Sequence, residues 1–239
     1  MSDELEPRRR MATFGRVIPV ILVVFLIIEI VMLPLPWTVA GLRTENPGLT
    51  ALMKQRITQA KSRHEFYKIK YAYVPLSRIS SSMIHAAVVG EDGTFFEHNG
   101  VDWHEVGQSL QKNWEEKKIV RGSSTITMQL AKNLWFSTSR DPLTKVNEII
   151  AAYMLEYYLT KDRIVELYLN EIEFGRGIFG VEAASRIDFN VPASQLSRDQ
   201  AARLSAVIPS PIKHTPDSTG KFVLSRTDVI LARMDARGW

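Results

Sequence analysis

A long apolar segment near the N-terminus limits most strongly what this chain can fold into. Residues 17–35 read VIPVILVVFLIIEIVMLPL. A helix over residues 17–37 would be roughly 30 Å long, which matches the thickness of a bilayer core. Glu29 costs about 3 kcal/mol there, but each Val, Ile, Leu or Phe contributes about −0.4 kcal/mol, and together they outweigh it. The segment therefore predicts a transmembrane anchor, in which Glu29 either faces a partner helix or becomes neutral in lipid.

The charges before this segment predict its orientation. Arginines stand at positions 8, 9, 10 and 16. Because positive charge stays on the cytoplasmic side, residues 1–16 should form a cytoplasmic tail and the chain after the anchor should be exported. A cleaved signal peptide is the alternative, with a poor cleavage site at residues 38–40.

Composition excludes several function classes. The chain has 239 residues, so about 200 follow the anchor, which is enough for one domain with a core. A net charge of +4 and a pI near 9.3 suit an anionic membrane surface or a phosphorylated substrate. No dense Lys/Arg run with interleaved aromatic residues is present, so nucleic acid is not an expected partner. The lack of cysteine excludes disulfides, thiolate nucleophiles and Cys-zinc sites.

The exported part is predicted to be mostly α-helical. Residues 38–65 are polar and charged, which indicates a juxtamembrane linker with a short helix. Apolar residues then recur with helical spacing, few segments alternate with period two, and residues 66–239 should form one domain. The prolines of the VIPSPIK segment, Pro209 and Pro211, end the helix predicted over residues 198–208. The predicted helices cover about 75–91, 124–134, a segment from 142, a segment after Thr160, 181–185, 198–208 and a segment from 224.

The first motif with chemical potential is EDGTFFEHNGVDW, residues 91–103. Ile79, Met83 and Ala87 recur every four residues, and Glu91 is the next member of that series. A carboxylate on an apolar helical face beside Asp92 has two reasons for a raised pKa, which are desolvation and like-charge repulsion. Such a group suits acid/base catalysis near neutral pH. The alternative is an acidic cap at a helix end.

The second motif is RGSSTITMQLAKN, residues 121–133. Small residues before a helix, with Ser124 as the expected N-cap, expose backbone N–H groups that can receive an anion. Hydroxyl, amide and basic side chains follow, and together they could form a diphosphate cradle: Ser124, Thr125, Thr127, Gln129, Lys132, Asn133 and Arg140. The alternative is ordinary Ser/Thr capping with solvated basic residues.

The third motif is TKVNEIIAAYMLE, residues 144–156. Glu148 shares a helical stripe with Ala151, Ala152 and Leu155, and an acid that faces small apolar residues is unlike a solvated one. A surface salt bridge to Lys145 is the alternative.

Other patterns do not indicate a site. Glu97, His98 and His104 have no standard metal-ligand spacing, so no metal site is expected. FGRGIFG satisfies G-x-G-x-x-G but lacks a βαβ context, which argues against dinucleotide binding. SPIK satisfies S-x-x-K, but it lies between prolines and no K-T-G follows, which argues against a penicillin-binding nucleophile.

Together the three motifs resemble the peptidoglycan glycosyltransferase family, whose signatures run approximately EDxxFxxHxG, GxSTITQQLxKN and RKxxExxxAxxLE. The resemblance covers about residues 75–239 and implies a lysozyme-like, mostly helical domain with one membrane anchor, as in the monofunctional members. The first signature is matched by Glu91, Asp92, Phe95, His98 and Gly100. The second is matched by Gly122, Ser124, Thr125, Ile126, Thr127, Gln129, Leu130, Lys132 and Asn133, and the third by Lys145, Glu148 and Glu156.

The resemblance implies a mechanism. Glu91 would be the general base for the 4-hydroxyl of an acceptor lipid-linked disaccharide-peptide, which attacks C1 of the donor strand, forms a β-1,4 bond with inversion and releases undecaprenyl diphosphate. Lys132 and Arg140 would hold the donor diphosphate, and Glu148 would order the basic groups and assist the leaving group. The implied substrate-binding residues are Lys132, Arg140, Ser124, Thr125, Gln129, Asn133, Lys145, Asp92, Phe95, His98 and Gly122.

The same resemblance implies the surroundings of the reaction. No cofactor is required, and a divalent cation such as Mg²⁺ would bind only at the donor diphosphate. The partners would be the lipid-linked precursor, the growing glycan strand and the membrane, with division or elongation proteins contacting the transmembrane helix. The protein would be single-pass in the inner membrane with a periplasmic catalytic domain. Residues 103–120 correspond to a mobile, membrane-facing segment, in which Trp103 and Trp114 could touch lipid.

Departures from the signatures keep two other functions open. Met128 replaces the first glutamine of the pair, Ser123 a common glycine, and Thr144 the arginine of the third signature. These changes would fit a catalytically weakened scaffold of the cell-wall synthesis machinery. A lysozyme-like hydrolase is the other alternative; it would use Glu91 as general acid and would need no diphosphate site.

Overall fold

The computed structural model describes residues 32–116, 124–136 and 142–239. The predicted cytoplasmic tail, most of the predicted anchor and two predicted binding residues, Gly122 and Arg140, therefore lie outside the described residues. Across the described ranges, no helix is both long and apolar enough to span a bilayer.

The described residues confirm the prediction of a mostly helical domain. The α-helices are α1 (Pro36–Gly41), α2 (Ala51–Ser62), α3 (Ser81–Glu91), α4 (Trp103–Glu115), α5 (Ile126–Ala131), α6 (Pro142–Tyr158), α7 (Lys161–Glu171), α8 (Val181–Phe189), α9 (Arg198–Val207) and α10 (Lys221–Asp235). A π-helical segment, Lys132–Phe136, continues α5. Short 3₁₀ helices cover Leu76–Arg78 and Ala193–Gln195. The strands are β1 (Lys70–Tyr71), β2 (Glu173–Gly175) and β3 (Ile178–Phe179), in the order β1-β3-β2.

Side-chain caps define most of the helix starts. Ser80, Thr160 and Ser197 each accept a hydrogen bond from the backbone N–H three residues later, which satisfies one of the donors that a helix start leaves unpaired. The second predicted cap is wrong by one residue. Thr125 caps α5, and Ser124 precedes it. Both are good capping residues, so local preference does not distinguish them.

The segment before the helical domain is also structured. Val39 and Leu42 are buried in the main core, and Leu52 and Met53 of α2 pack against Phe179. Residues 38–65, predicted as a linker with a short helix, thus contain the end of α1 and all of α2, and both contribute buried residues to the fold.

The described backbone corrects the C-terminal bound of the helix predicted over residues 17–37. Leu35 is extended, with φ −69° and ψ 138°, between Pro34 and Pro36. A single helix therefore does not run on to Trp37, because proline at these positions removes backbone donors and crowds the preceding turn.

The G-x-G-x-x-G pattern forms a hairpin and not a phosphate loop. β2 and β3 pair antiparallel on either side of the turn, and β1 pairs parallel with β3. Gly177 and Gly180 have positive φ, and a Cβ at either would lie 2.6 Å from a backbone oxygen, that of Lys68 or Asn170. These glycines are required by close backbone packing.

Helix α4 lies in the stretch that was expected to be a mobile segment. Its start is fixed by Asp102, whose carboxylate accepts the Glu105 N–H at 2.9 Å. The helix leaves Trp103, Leu110 and Trp114 exposed. These three residues follow the helical spacing i, i+7 and i+11, so the sequence does carry a helical pattern here, which the predicted helices did not include.

The core brings the ends of three helices together. α3 packs against α9 and α10, and α5 lies between α6 and α7. Gly90, one residue before the end of α3, allows the closest approach, since a Cβ there would meet Ser205 Oγ at 2.5 Å. Ser205 Oγ also donates to the Ala86 carbonyl at 2.8 Å. The last turn of α3, which carries Glu91, is therefore tied to α9.

Candidate active site

Glu91 ends helix α3 and faces inward, as the four-residue spacing predicts. Its side chain is 9% exposed. Gln129 Nε2 donates to one carboxylate oxygen, Oε2, at 3.0 Å, and Arg226 Nη2 lies 3.2 Å from the other, Oε1. The side-chain oxygen of Gln129, Oε1, accepts a hydrogen bond from the Tyr168 hydroxyl at 3.1 Å. A buried carboxylate with a donor on each oxygen is held in one orientation.

The surroundings of Glu91 also set its proton affinity. Burial raises the pKa of Glu91 above its usual range, because the charged form loses water. The hydrogen bond from Gln129 and the charges of Arg226 and Lys132 lower the pKa, and the neighbouring Asp92 raises it; burial prevails. A raised pKa makes this carboxyl group a better proton acceptor than an ordinary solvated carboxylate.

A cavity of about 1010 Å³ lies over Glu91. Its wall combines the end of α3, the following loop, the first turn of α4, the start of α5 and one face of α10. The lining includes Glu91, Asp92, Thr94, Asp102, Glu105, Ser124, Thr125, Gln129, Arg226, Arg233 and Arg237. A space of this size fits more than one sugar ring.

Basic groups meet a second acid beside this cavity. Lys145 donates to Glu148 and to Ser124 Oγ, at 2.9 and 2.8 Å. The salt bridge to Lys145 that was the alternative is therefore present; Glu148 is buried, whereas the Lys145 side chain is 43% exposed. Burial lowers the pKa of Lys132, whereas the charges of Glu148 and Glu91 raise it and that of Lys145 lowers it. Lys132 therefore lies within electrostatic reach of both acids.

Asp92 connects the loop after α3 to the start of α5. Its carboxylate contacts His98 Nε2 at 2.9 Å and accepts the Ile126 N–H of α5 at 2.9 Å. Thr125 Oγ1 donates to the Gly100 carbonyl at 2.5 Å. These contacts connect the first motif with the start of α5, and they occupy groups that were expected to bind substrate.

Other motif residues are packed into the protein. Phe95 is fully buried, with the Lys161 ammonium 4.4 Å from its ring centroid, so its side chain does not line the cavity. Asn133 is buried as well. Met128, at the position of the first signature glutamine, is 2% exposed and packs with Val101 and Ala152. This position faces the core, so the departure from the signature removes no side chain from the cavity wall.

Arg226 is the functional candidate that sequence reasoning missed. It contacts Glu91 across 135 positions of sequence and belongs to α10, outside the three motifs. Its spacing to other polar residues matches no motif, and a contact at this separation leaves no local signal.

Comparison with known proteins agrees with the motifs. The transglycosylase family model matches residues 57–235. The chain belongs to this transglycosylase family. It is 40% identical over 220 residues to the biosynthetic peptidoglycan transglycosylase of Janthinobacterium sp. (strain Marseille), covering 92% of this chain and 93% of that one. It is 38% identical over 230 residues to the protein of that name from Bordetella pertussis (strain Tohama I), covering 95% of each.

The pH dependence of folding tests the buried carboxylate of this transglycosylase. Because its pKa is higher in the folded than in the unfolded chain, ionising Glu91 costs stability above the unfolded value of about 4.5 and nothing below it. Glu91→Gln should therefore raise the free energy of unfolding at pH above neutrality and leave it nearly unchanged in acid. Chemical denaturation of the full chain in detergent measures this.

Glu97→Gln provides the matched control, because Glu97 is an exposed acid six residues from Glu91. It should change stability little at either pH. If Glu91→Gln raised the free energy of unfolding equally in acid and in base, the raised pKa of Glu91 would be contradicted.

Proposed function

We propose that this chain polymerises glycan strands of peptidoglycan with Glu91 as general base. The family supplies the activity of a peptidoglycan glycosyltransferase, and the site suggests how it proceeds. The 4-hydroxyl of an acceptor lipid-linked disaccharide-peptide loses its proton to Glu91, and its oxygen bonds to C1 of the donor strand. The bond between C1 and the lipid diphosphate breaks, which gives a β-1,4 linkage with inversion.

One observation carries this proposal. A buried carboxylate with a raised pKa lines a cavity together with Ser124 and Gln129. Ser124 Oγ accepts a hydrogen bond from Lys145, and the charge of Lys132 acts on Glu91. A proton acceptor beside cationic groups suits transfer from a donor that leaves as a diphosphate, since charge develops on the leaving oxygens.

The donor diphosphate is assigned to the cations. Lys132 and Lys145 would bind its oxygens, together with Arg140 of the segment outside the described residues. Glu148 orders this set through its 2.9 Å contact with Lys145 and its charge near Lys132. Because burial lowers the pKa of Lys132, the charge of Glu148 helps to keep that ammonium protonated.

The proposed reaction requires no cofactor. A divalent cation such as Mg²⁺ is assigned to the donor diphosphate alone, where oxygen ligands come from the substrate. The part of the chain with described side chains holds no cluster of three or more His, Cys, Asp or Glu residues that could bind a metal.

Replacement of Lys132 distinguishes the polymerase from a lysozyme-like hydrolase. With Lys132→Ala, polymerisation of the lipid-linked precursor should fall about 10²- to 10³-fold, because a cation is lost from the developing charge. Rates of glycan formation by the full chain in detergent measure this. The exposed Lys61 of α2 gives the control, and Lys61→Ala should keep wild-type rates.

A hydrolase would give the opposite pattern. Wild-type protein would cleave isolated cell-wall sacculi, and Lys132→Ala would retain that cleavage. Either result contradicts the polymerase.

We further propose that α4 and α6 rest on the membrane surface. Val146, Ile150, Tyr153 and Tyr157 of α6 are exposed at positions i, i+4, i+7 and i+11, which form one stripe of a helix. Trp103, Leu110 and Trp114 of α4 form a second stripe, at i, i+7 and i+11. Trp103 Nε1 donates to the Tyr153 hydroxyl at 2.9 Å, and this hydrogen bond connects the two stripes.

The position of α1 supports the same surface. α1 packs against α6, and Arg43 donates to the Tyr158 carbonyl at 2.6 Å. Leu35 and Trp37, at the C-terminal end of the predicted anchor, are exposed there. Apolar and aromatic side chains at an exposed face are typical of a protein–membrane boundary. This arrangement would hold the cavity near the lipid-linked substrates of the inner membrane.

Quenching of tryptophan fluorescence by brominated lipids tests this surface. Trp114 is 87% exposed on α4, so Trp114→Phe should remove a large part of the quenchable emission from the full chain in vesicles. Trp239 stacks on His85 at 4.3 Å, outside the two stripes, so Trp239→Phe should leave the quenchable emission unchanged. Equal effects of both variants would contradict a membrane contact through α4.

A further inference from the structure

The two oxygens of Glu91 are bound by different helices. Gln129 of α5 binds Oε2, and Arg226 of α10 binds Oε1. One donor alone would let a carboxylate rotate about its last bond, whereas two donors on two oxygens fix its plane. Gln129 belongs to the second motif, so α10 contributes the contact for which no motif accounts.

Arg226 is itself held in place. Its Nε donates to the Ala206 carbonyl of α9 at 3.1 Å, and its guanidinium carbon lies 5.9 Å from the centroid of the Phe222 ring. The His214 ring stacks on the same Phe222 ring, with the two ring centroids 4.2 Å apart. A guanidinium fixed by a carbonyl and a ring keeps its charge at one point, so it orients the carboxylate beside it.

The same helix also holds the backbone around Glu91. Arg233 Nη1 donates to the Val89 carbonyl at 2.9 Å, and Arg237 Nη2, just beyond α10, donates to the Gly93 carbonyl at 2.8 Å. The Val89 carbonyl lies in the last turn of α3, where carbonyls lack partners within the helix, and Arg233 provides one; Arg237 holds the turn that follows. Arg226, Arg233 and Arg237 are spaced i, i+7 and i+11, so one face of the C-terminal segment meets the end of α3.

We infer that Arg226 is a positioning residue for glycosyl transfer, which orients the Glu91 carboxylate to receive the acceptor proton. The inference rests on the proposed function of Glu91. When the acceptor O–H bond breaks, the proton moves to Glu91, the acceptor oxygen bonds to C1 and the diphosphate leaves with the electrons of the C1–O bond. Arg226 acts on this step through Glu91.

Two substitutions separate the charge of Arg226 from its geometry. Arg226→Met removes the charge, and Arg226→Lys keeps the charge but not the guanidinium that reaches both Ala206 and Glu91. The control is Arg203→Met on α9, which breaks a pair with Asp199 and a 3.3 Å contact with the Pro216 carbonyl and lies outside the cavity wall. Initial rates of polymerisation by the full chain in detergent are measured on both sides of neutral pH.

For Arg226→Met, we expect kcat at neutral pH to fall about 10- to 100-fold, as for loss of a hydrogen bond to a charged group. KM should change little. The acid limb of the pH profile should move to higher pH, because the cation that lowers the pKa of Glu91 is gone. Arg226→Lys should keep the wild-type acid limb and recover part of kcat, and Arg203→Met should match wild type throughout.

A second readout does not depend on activity. Titration of the Glu91 carboxyl, by difference infrared spectroscopy against Glu91→Gln, should show a higher midpoint in Arg226→Met than in wild type. If polymer forms but neither the midpoint nor the acid limb moves, the positioning role is overturned. If wild type forms no polymer, the proposed function fails, and the titration still decides whether Arg226 acts on Glu91.

Discussion

Desolvation of the Glu91 carboxylate is the constraint on which the rest of the site depends. A buried charge is costly unless donors surround it, and here Gln129 and Arg226 provide one donor for each oxygen. The end of α3, the start of α5 and one face of α10 must therefore meet at one point. The cavity, the cationic groups beside it and the close approach at Gly90 all follow from that meeting.

Two layers of interaction keep this meeting point in place. Asp92 connects the loop after α3 to the start of α5 through Ile126, and Tyr168 of α7 fixes the amide of Gln129. On the other side, Lys145 of α6 donates to Ser124 and to Glu148, and Glu148 places a negative charge near Lys132. Glu91, Glu148 and Lys132 thus have different neighbours, which lets their proton affinities differ within one small volume.

The sequence predicts part of this arrangement because part of it is local. A four-residue apolar spacing places Glu91 on the inner face of α3, and a three-residue spacing brings Lys145 to Glu148. Arg226 could not be predicted, because its contact spans 135 positions and depends on how α9 and α10 pack. Helix α4 was not among the predicted helices, although its apolar residues follow helical spacing. That these side chains face outward depends on the packing of the whole domain.

Polymerisation of lipid-linked disaccharide-peptide by Glu91→Gln tests the central claim most directly. Glutamine keeps the shape of the side chain but cannot accept the acceptor proton, so the rate should fall by about 10²- to 10⁴-fold while the far-ultraviolet circular dichroism spectrum stays that of wild type. A folded Glu91→Gln protein that builds glycan strands at the wild-type rate would contradict the assignment of Glu91 as the base.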